Sequence, residues 1–138
     1  MTDEQLKYVL ERKISINECE EIERNHIYYI KKDIRQSYYK VDGSTSYSTD
    51  EYEFLIIAEN GEKQGIILRC GYVDLHWYVL KKWRNMHVLS DALRTGVINE
   101  IWPENHEVSC SYNYGEDREK KYSMTCHLAA IANLRMKN

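Results

Sequence analysis

The stretch WYVLKKWRNMHVLS, from Trp77 to Ser90, holds the residues with the most chemistry to offer. An alternating apolar run ends at Val79 and Leu80, three cations follow at Lys81, Lys82 and Arg84, and a helical stripe opens at Val88. A strand that passes through a basic bend into a helix sets unpaired backbone N–H groups and the positive end of a helix dipole beside cations. That combination holds phosphate. A protonated His87 adds one more donor to such a cradle. The plainer alternative also stands, in which the cations are solvated punctuation and His87 is a cap or a surface residue.

Just upstream, Asp74 and His76 alternate onto the face opposite Val73, Leu75, Trp77 and Val79. His76 is therefore a candidate general base, acting directly or through water, with Asp74 as its orienter, if that face lines a groove. An ordinary exposed sheet face fits the same pattern. Cys126 and His127, with Cys110 and Ser111 elsewhere, raise the question of a nucleophile or a metal ligand. Neighbours on a helix point about 100° apart and do not readily share a ligand, so a buried Cys and a half-buried His are expected. The segment from Tyr28 to Lys40 interleaves Tyr28, Tyr29, Tyr38 and Tyr39 with Lys31, Lys32, Arg35 and Lys40, as single-stranded nucleic-acid binders do. Its acidic neighbours Glu18, Glu20, Glu21 and Glu23, and a net charge of -3 on a chain that is 30% charged, make nucleic acid an unlikely partner.

These groups need a scaffold, and 138 residues suffice for one domain, residues 1–138, with a single core. No apolar run approaches the roughly 20 residues of a membrane span, and the opening MTDEQLKYVLERK lacks a signal-peptide layout, so a cytoplasmic protein with no membrane partner is expected. Four cysteines without a CxxC pair support reduced thiols and no metal site. Leu6 to Ser15 reads as a strand or a short helix. Ile16, Cys19, Ile22, His26, Ile27, Ile30 and Ile34 recur at three- and four-residue steps, which predicts an amphipathic helix capped by Ser15 or Asn17. Lys40 to Asp50 reads as a surface loop. Two apolar runs joined at Asn60-Gly61 predict a tight hairpin, and Val73 to Val79 a third strand. A second helix runs from Val88 to Ile101 and stops before Pro103, a strand spans HEVSCSY (His106 to Tyr112), and a last helix carries Met124, Leu128, Ile131 and Leu134. The class is mixed α/β (α+β), with a mainly antiparallel sheet flanked by helices. Its third strand, second helix and fourth strand make one crossover unit.

This order resembles the GCN5-related N-acetyltransferase (GNAT) superfamily, over about Tyr52 to Leu134 and most clearly over Trp77 to Leu93. The family motif Val-x-x-x-x-Arg/Gln-x-x-Gly-x-Gly/Ala aligns with Val79, Arg84, His87 and Leu89, and HLAAIANL, His127 to Leu134, looks like the family's last-helix signature. The resemblance implies a GNAT-like fold and acetyl-CoA as co-substrate, with acetyl transferred to a primary amine of a small molecule or peptide. It implies that Arg84, Asn85, Met86, His87, Val88, Leu89 and Ser90 hold the pyrophosphate, mainly through backbone N–H groups. Val79 and Leu80 would pair with the pantetheine arm. His76 would then be the base, and Tyr112 or Tyr114 the acid that reprotonates the thiolate. The departures are specific: His87 and Leu89 fill the glycine positions, Ala129 fills the position of the family's acidic tyrosine, and Asn133-Leu134 replaces Gly-Phe. The family usually adds two further strands after the last helix, where this sequence reaches Asn138. The resemblance is thus degenerate and C-terminally short, which keeps a second expectation open, a catalytically inactive GNAT-fold binding or interaction module. A sheet edge left open there favours a homodimer.

Overall fold

The computed structural model describes residues 2–32, 52–70, 74–104, 107–108 and 118–136. It is a mixed α+β arrangement around one mostly antiparallel sheet. Helix α1 (Asp3–Tyr8) leads into a π turn (Val9–Lys13) and, after a 3-10 turn (Ile16–Glu18), strands β1 (Glu20–Glu23), β2 (Ile27–Lys32), β3 (Tyr52–Glu59), β4 (Glu62–Cys70) and β5 (Asp74–Val79) follow. A 3-10 turn (Lys81–Trp83) precedes helices α2 (Val88–Arg94) and α3 (Val97–Ile101), then β6 (Glu107–Val108), helix α4 (Arg118–Ile131) and β7 (Arg135–Met136). The strands lie in sequence order across the sheet. β1 to β5 are antiparallel neighbours, whereas β5, β6 and β7 run parallel, each parallel step crossing over through helix.

The central strands are covered on both faces. Phe54, Ile56, Ile66 and Leu68 meet Leu6, Val9, Leu10 and Ile14 on one side. Leu55, Ile57, Ile67 and Leu75 meet α2, α3, Trp102 and the end of α4 on the other. The first helix is fixed at both ends. Thr2 Oγ1 accepts from the Gln5 N–H at 3.2 Å, and Gln5 Oε1 accepts from the Thr2 N–H at 2.6 Å. At its far end two sheet lysines satisfy carbonyls that the helix leaves unpaired: Lys63 Nζ donates to the Leu10 and Ile14 carbonyls, and Lys32 Nζ to that of Lys13. Burial pushes the Lys63 ammonium below its ordinary pKa.

Four expectations are corrected. The stripe from Ile16 onward is not a long helix: after the single 3-10 turn at Ile16–Glu18 it is the β1–β2 hairpin, turned at Asn25, whose φ is 57°. Ile27, Tyr28, Tyr29 and Ile30 are covered on both faces of a strand, and a strand apolar on both sides imitates helical spacing. The second helix breaks at Gly96, which takes φ 75° and divides α2 from α3. The last helix ends at Ile131; Asn133 enters the left-handed region at φ 59°, and the Leu134 N–H donates back to the Ala129 carbonyl at 2.8 Å, so Leu134 lies past the helix. Finally, a strand does follow that helix, because β7 pairs with β6. The described part of the predicted HEVSCSY strand is Glu107–Val108. Among the described residues, no helix is long and apolar enough to cross a membrane.

Candidate functional site

The hairpin at Asn60-Gly61 is the local device that sets the strand edge. Its two turn residues both have positive φ, 51° and 79°, as a tight type I′ turn requires. Beyond the turn one extra residue, Gln64, bulges out of β4: Ala58 faces Lys63, yet Ile57 faces Gly65. The bulged Gln64 carbonyl accepts the Leu80 N–H at 2.9 Å. Antiparallel backbones alternate direction residue by residue, so with Leu80 turned toward β4 the Val79 carbonyl turns to the opposite edge. On that edge, among the described residues, β6 pairs only with Asp74 and Leu75. Of Val79 and Leu80, Val79 alone therefore offers its backbone there.

Arg84 meets that edge. Its Nε donates to the Val79 carbonyl at 3.1 Å, and its guanidinium carbon lies 5.2 Å from the centre of the Tyr78 ring. Lys82 pairs with Glu62 at 2.8 Å and lies over Trp83. Lys81, Lys82, Arg84, Asn85, Met86 and His87 are all exposed, Met86 to 58%. Asn85 and His87 hold φ values of 65° and 61°, a left-handed backbone that glycine takes without cost and a β-carbon resists. His87 caps α2 through its carbonyl, which accepts from the Asp91 N–H at 2.9 Å and from Ser90 Oγ at 3.1 Å. The amides of Val88, Leu89 and Ser90 thus precede the helical ladder. Their side chains are buried, so the predicted loop divides into an exposed half, Arg84 to His87, and a half, Val88 to Ser90, that contributes backbone only.

His76 lies about 10 Å along β5 from Val79 at ~3.3 Å per residue. Its face is neither an open groove nor bare to solvent, since α1 packs across it. The carboxylate at hand is Asp3, the first residue of α1, with Oδ1 3.0 Å from His76 Nε2 and side-chain exposures of 23% and 12%. Tyr112 and Tyr114, like Cys110 and Ser111, lie outside the described residues. Ala129, at the acid position of the resemblance, is 2% exposed and packs in the core that holds α2. Cys126 is half-buried and His127 exposed. The aromatic and basic residues of β2 form no stacking platform: Tyr28 is buried, the Tyr29 hydroxyl is engaged, and Lys32 holds Glu18 at 2.8 Å. Arg35, Tyr38, Tyr39 and Lys40 lie outside the described residues.

A second polar cluster sits at the other end of the sheet and escaped the sequence reading. Glu53 accepts from Tyr29 Oη at 2.7 Å, Arg69 Nη1 at 3.2 Å and Trp102 Nε1 at 3.3 Å. Arg69 also pairs with Glu104 and lies 6.0 Å from the Trp102 ring centre, while its Nε is buried without a partner. Burial and the Glu53 carboxylate push the Tyr29 phenol up to about 12. The signal was present but hidden by the bulge. A plain two-residue hairpin would set Glu53 against Leu68, and the extra residue sets it against Arg69.

No protein-family model, curated protein or solved structure matches this chain.

Proposed function

We propose that the protein is an acetyl-CoA-dependent N-acetyltransferase of the GNAT type, acting on a primary amine of a small molecule or peptide. The observation that carries this reading is the backbone of His87. It fills the motif's first glycine position with another residue, and at φ 61° it still takes the left-handed turn that a glycine there would serve. The second glycine position, Leu89, is turned into the core and puts no side chain over the turn. The β5–α2–α3–β6 crossover, with parallel β5 and β6, is the frame such a site needs.

A thioester bound here supplies an activated acetyl group. The chain's own contribution begins at the turn, where the amides from Asn85 to Ser90 and the exposed cations suit a pyrophosphate, and the Val79 carbonyl suits an amide of the pantetheine arm; the Arg84 amide is already donated to the Lys81 carbonyl. His76, with Nε2 held 3.0 Å from Asp3 Oδ1, is the base this reading assigns, reached through water because α1 covers its face. Tyr112 and Tyr114 remain the candidates for the acid.

A second reading, a binding module without catalysis, is favoured by Ala129, which fills the acid position with a buried methyl group. Isothermal titration with acetyl-CoA, with coenzyme A as control, tests both. Micromolar binding lost in Arg84→Glu, followed by thiol release with an amine acceptor, is the result expected of the enzyme. Binding without thiol release across an acceptor screen selects the module. Absence of heat at millimolar acetyl-CoA rejects the coenzyme site.

A further inference from the structure

We infer that Arg84 is a latch on the strand edge beside it, covering the backbone acceptor that an incoming pantetheine arm needs. The inference rests on the coenzyme reading above and adds a displacement step to it. Three observations converge. The Leu80 N–H is committed to the Gln64 carbonyl at 2.9 Å, which leaves the Val79 carbonyl on the edge away from β4. Arg84 Nε donates into that same carbonyl at 3.1 Å. Its guanidinium also lies 5.2 Å from the centre of the Tyr78 ring, so the side chain is held at two points across the end of β5.

The latch is light and it is the side chain that moves. Arg84 is exposed, so water competes for both contacts. The backbone that follows is left-handed at Asn85 and His87, so the side chain, not the turn, is the part free to swing. A ligand amide that donates to the Val79 carbonyl must first replace the guanidinium, and a phosphate beside the turn offers the displaced guanidinium a stronger partner. Phosphate and amide arms of one ligand thus bind cooperatively through Arg84: the anion draws the side chain off the edge that the arm then occupies.

Pantetheine, which has the amides and no phosphate, separates the two effects. In nuclear magnetic resonance titrations, Arg84→Met should bind pantetheine about three- to tenfold more tightly than the wild type, the factor by which the open edge becomes more populated. Coenzyme A should gain less or lose affinity, because the variant has no cation for the phosphate. In the wild type the Arg84 Nε–H signal should also move as pantetheine saturates the edge. Equal or weaker pantetheine binding by Arg84→Met, an unmoved Nε–H signal at saturation, or no pantetheine binding in either protein while coenzyme A binds, overturns the latch. No response to coenzyme A in either protein removes the coenzyme reading and the latch with it.

Discussion

The two ends of the sheet handle charge in opposite ways. Around Glu53 every oxygen is used: one carboxylate takes donors from β2, from β4 and from the Trp102 indole, and Arg69 bridges it to Glu104. At the carboxyl end of β5, four positions from Leu75 to Val79 and so about 13 Å away at ~3.3 Å per residue, the cations are exposed and the backbone is strained at Asn85 and His87. A cluster so connected holds elements together because removing any member strands the others. An exposed and strained turn contributes little to stability, and its unspent donors remain available to a ligand. The contrast separates residues that hold the fold from residues that meet solutes.

The strongest way to break this contrast is Glu53→Ala. It strands three donors, one of them a largely buried guanidinium, and should cost about 2–4 kcal/mol in urea denaturation, less than a fully buried pair because the carboxylate is 24% exposed. A cost under about 1 kcal/mol would mean that the cluster is ornamental. At the other end, His87→Gly should be neutral or stabilising by up to about 1 kcal/mol, since relief of the left-handed strain is partly offset by a freer unfolded chain. Affinity for coenzyme A should stay similar or improve. A marked destabilisation would show that the His87 side chain, and not the turn, is what the fold uses.

The smallest effect concerns alkaline pH. The Tyr29 phenol is held protonated up to about 12, above its ordinary 10.0. A raised folded pKa means that the folded protein holds this proton more tightly, so the stability it adds is complete below pH 10 and is lost as pH rises toward 12. Tyr29→Phe should therefore lose stability less steeply over that window than the wild type. Parallel slopes in urea melts at pH 8, 10 and 11 would count against the coupling.

How much of this was legible in the sequence follows from range. The Asn60-Gly61 hairpin, the strand through Val79 and the start of a helix at Val88 are local signals, carried by residues within a few positions of one another, and they hold. The stretch from Ile16 to Ile30 misled because burial on both faces depends on α1 packing from one side and α2 and α3 from the other, information absent from the segment itself. The alternation of β5 turns His76 away from Leu75 and Trp77, while its partner Asp3, 73 positions away, comes into view only with the docking of α1. Periodicity marked the residues of the basic turn; the commitment of Leu80 to Gln64, and of Arg84 to Val79, is tertiary.

Gln64 carries one more consequence. A strand has only two phases, and an extra residue moves everything beyond it from one phase to the other. The hairpin therefore behaves like a reading frame: upstream of the bulge Lys63 reaches back to the first helix, and downstream Ile66 and Leu68 face that helix while Ile67 and Arg69 face the opposite layer. A substitution at Gln64 would alter a contact. A single-residue insertion or deletion there would exchange the two layers of β4 and part Glu53 from Arg69, so the count of residues at the bulge matters more to the layering than the side chain that fills it.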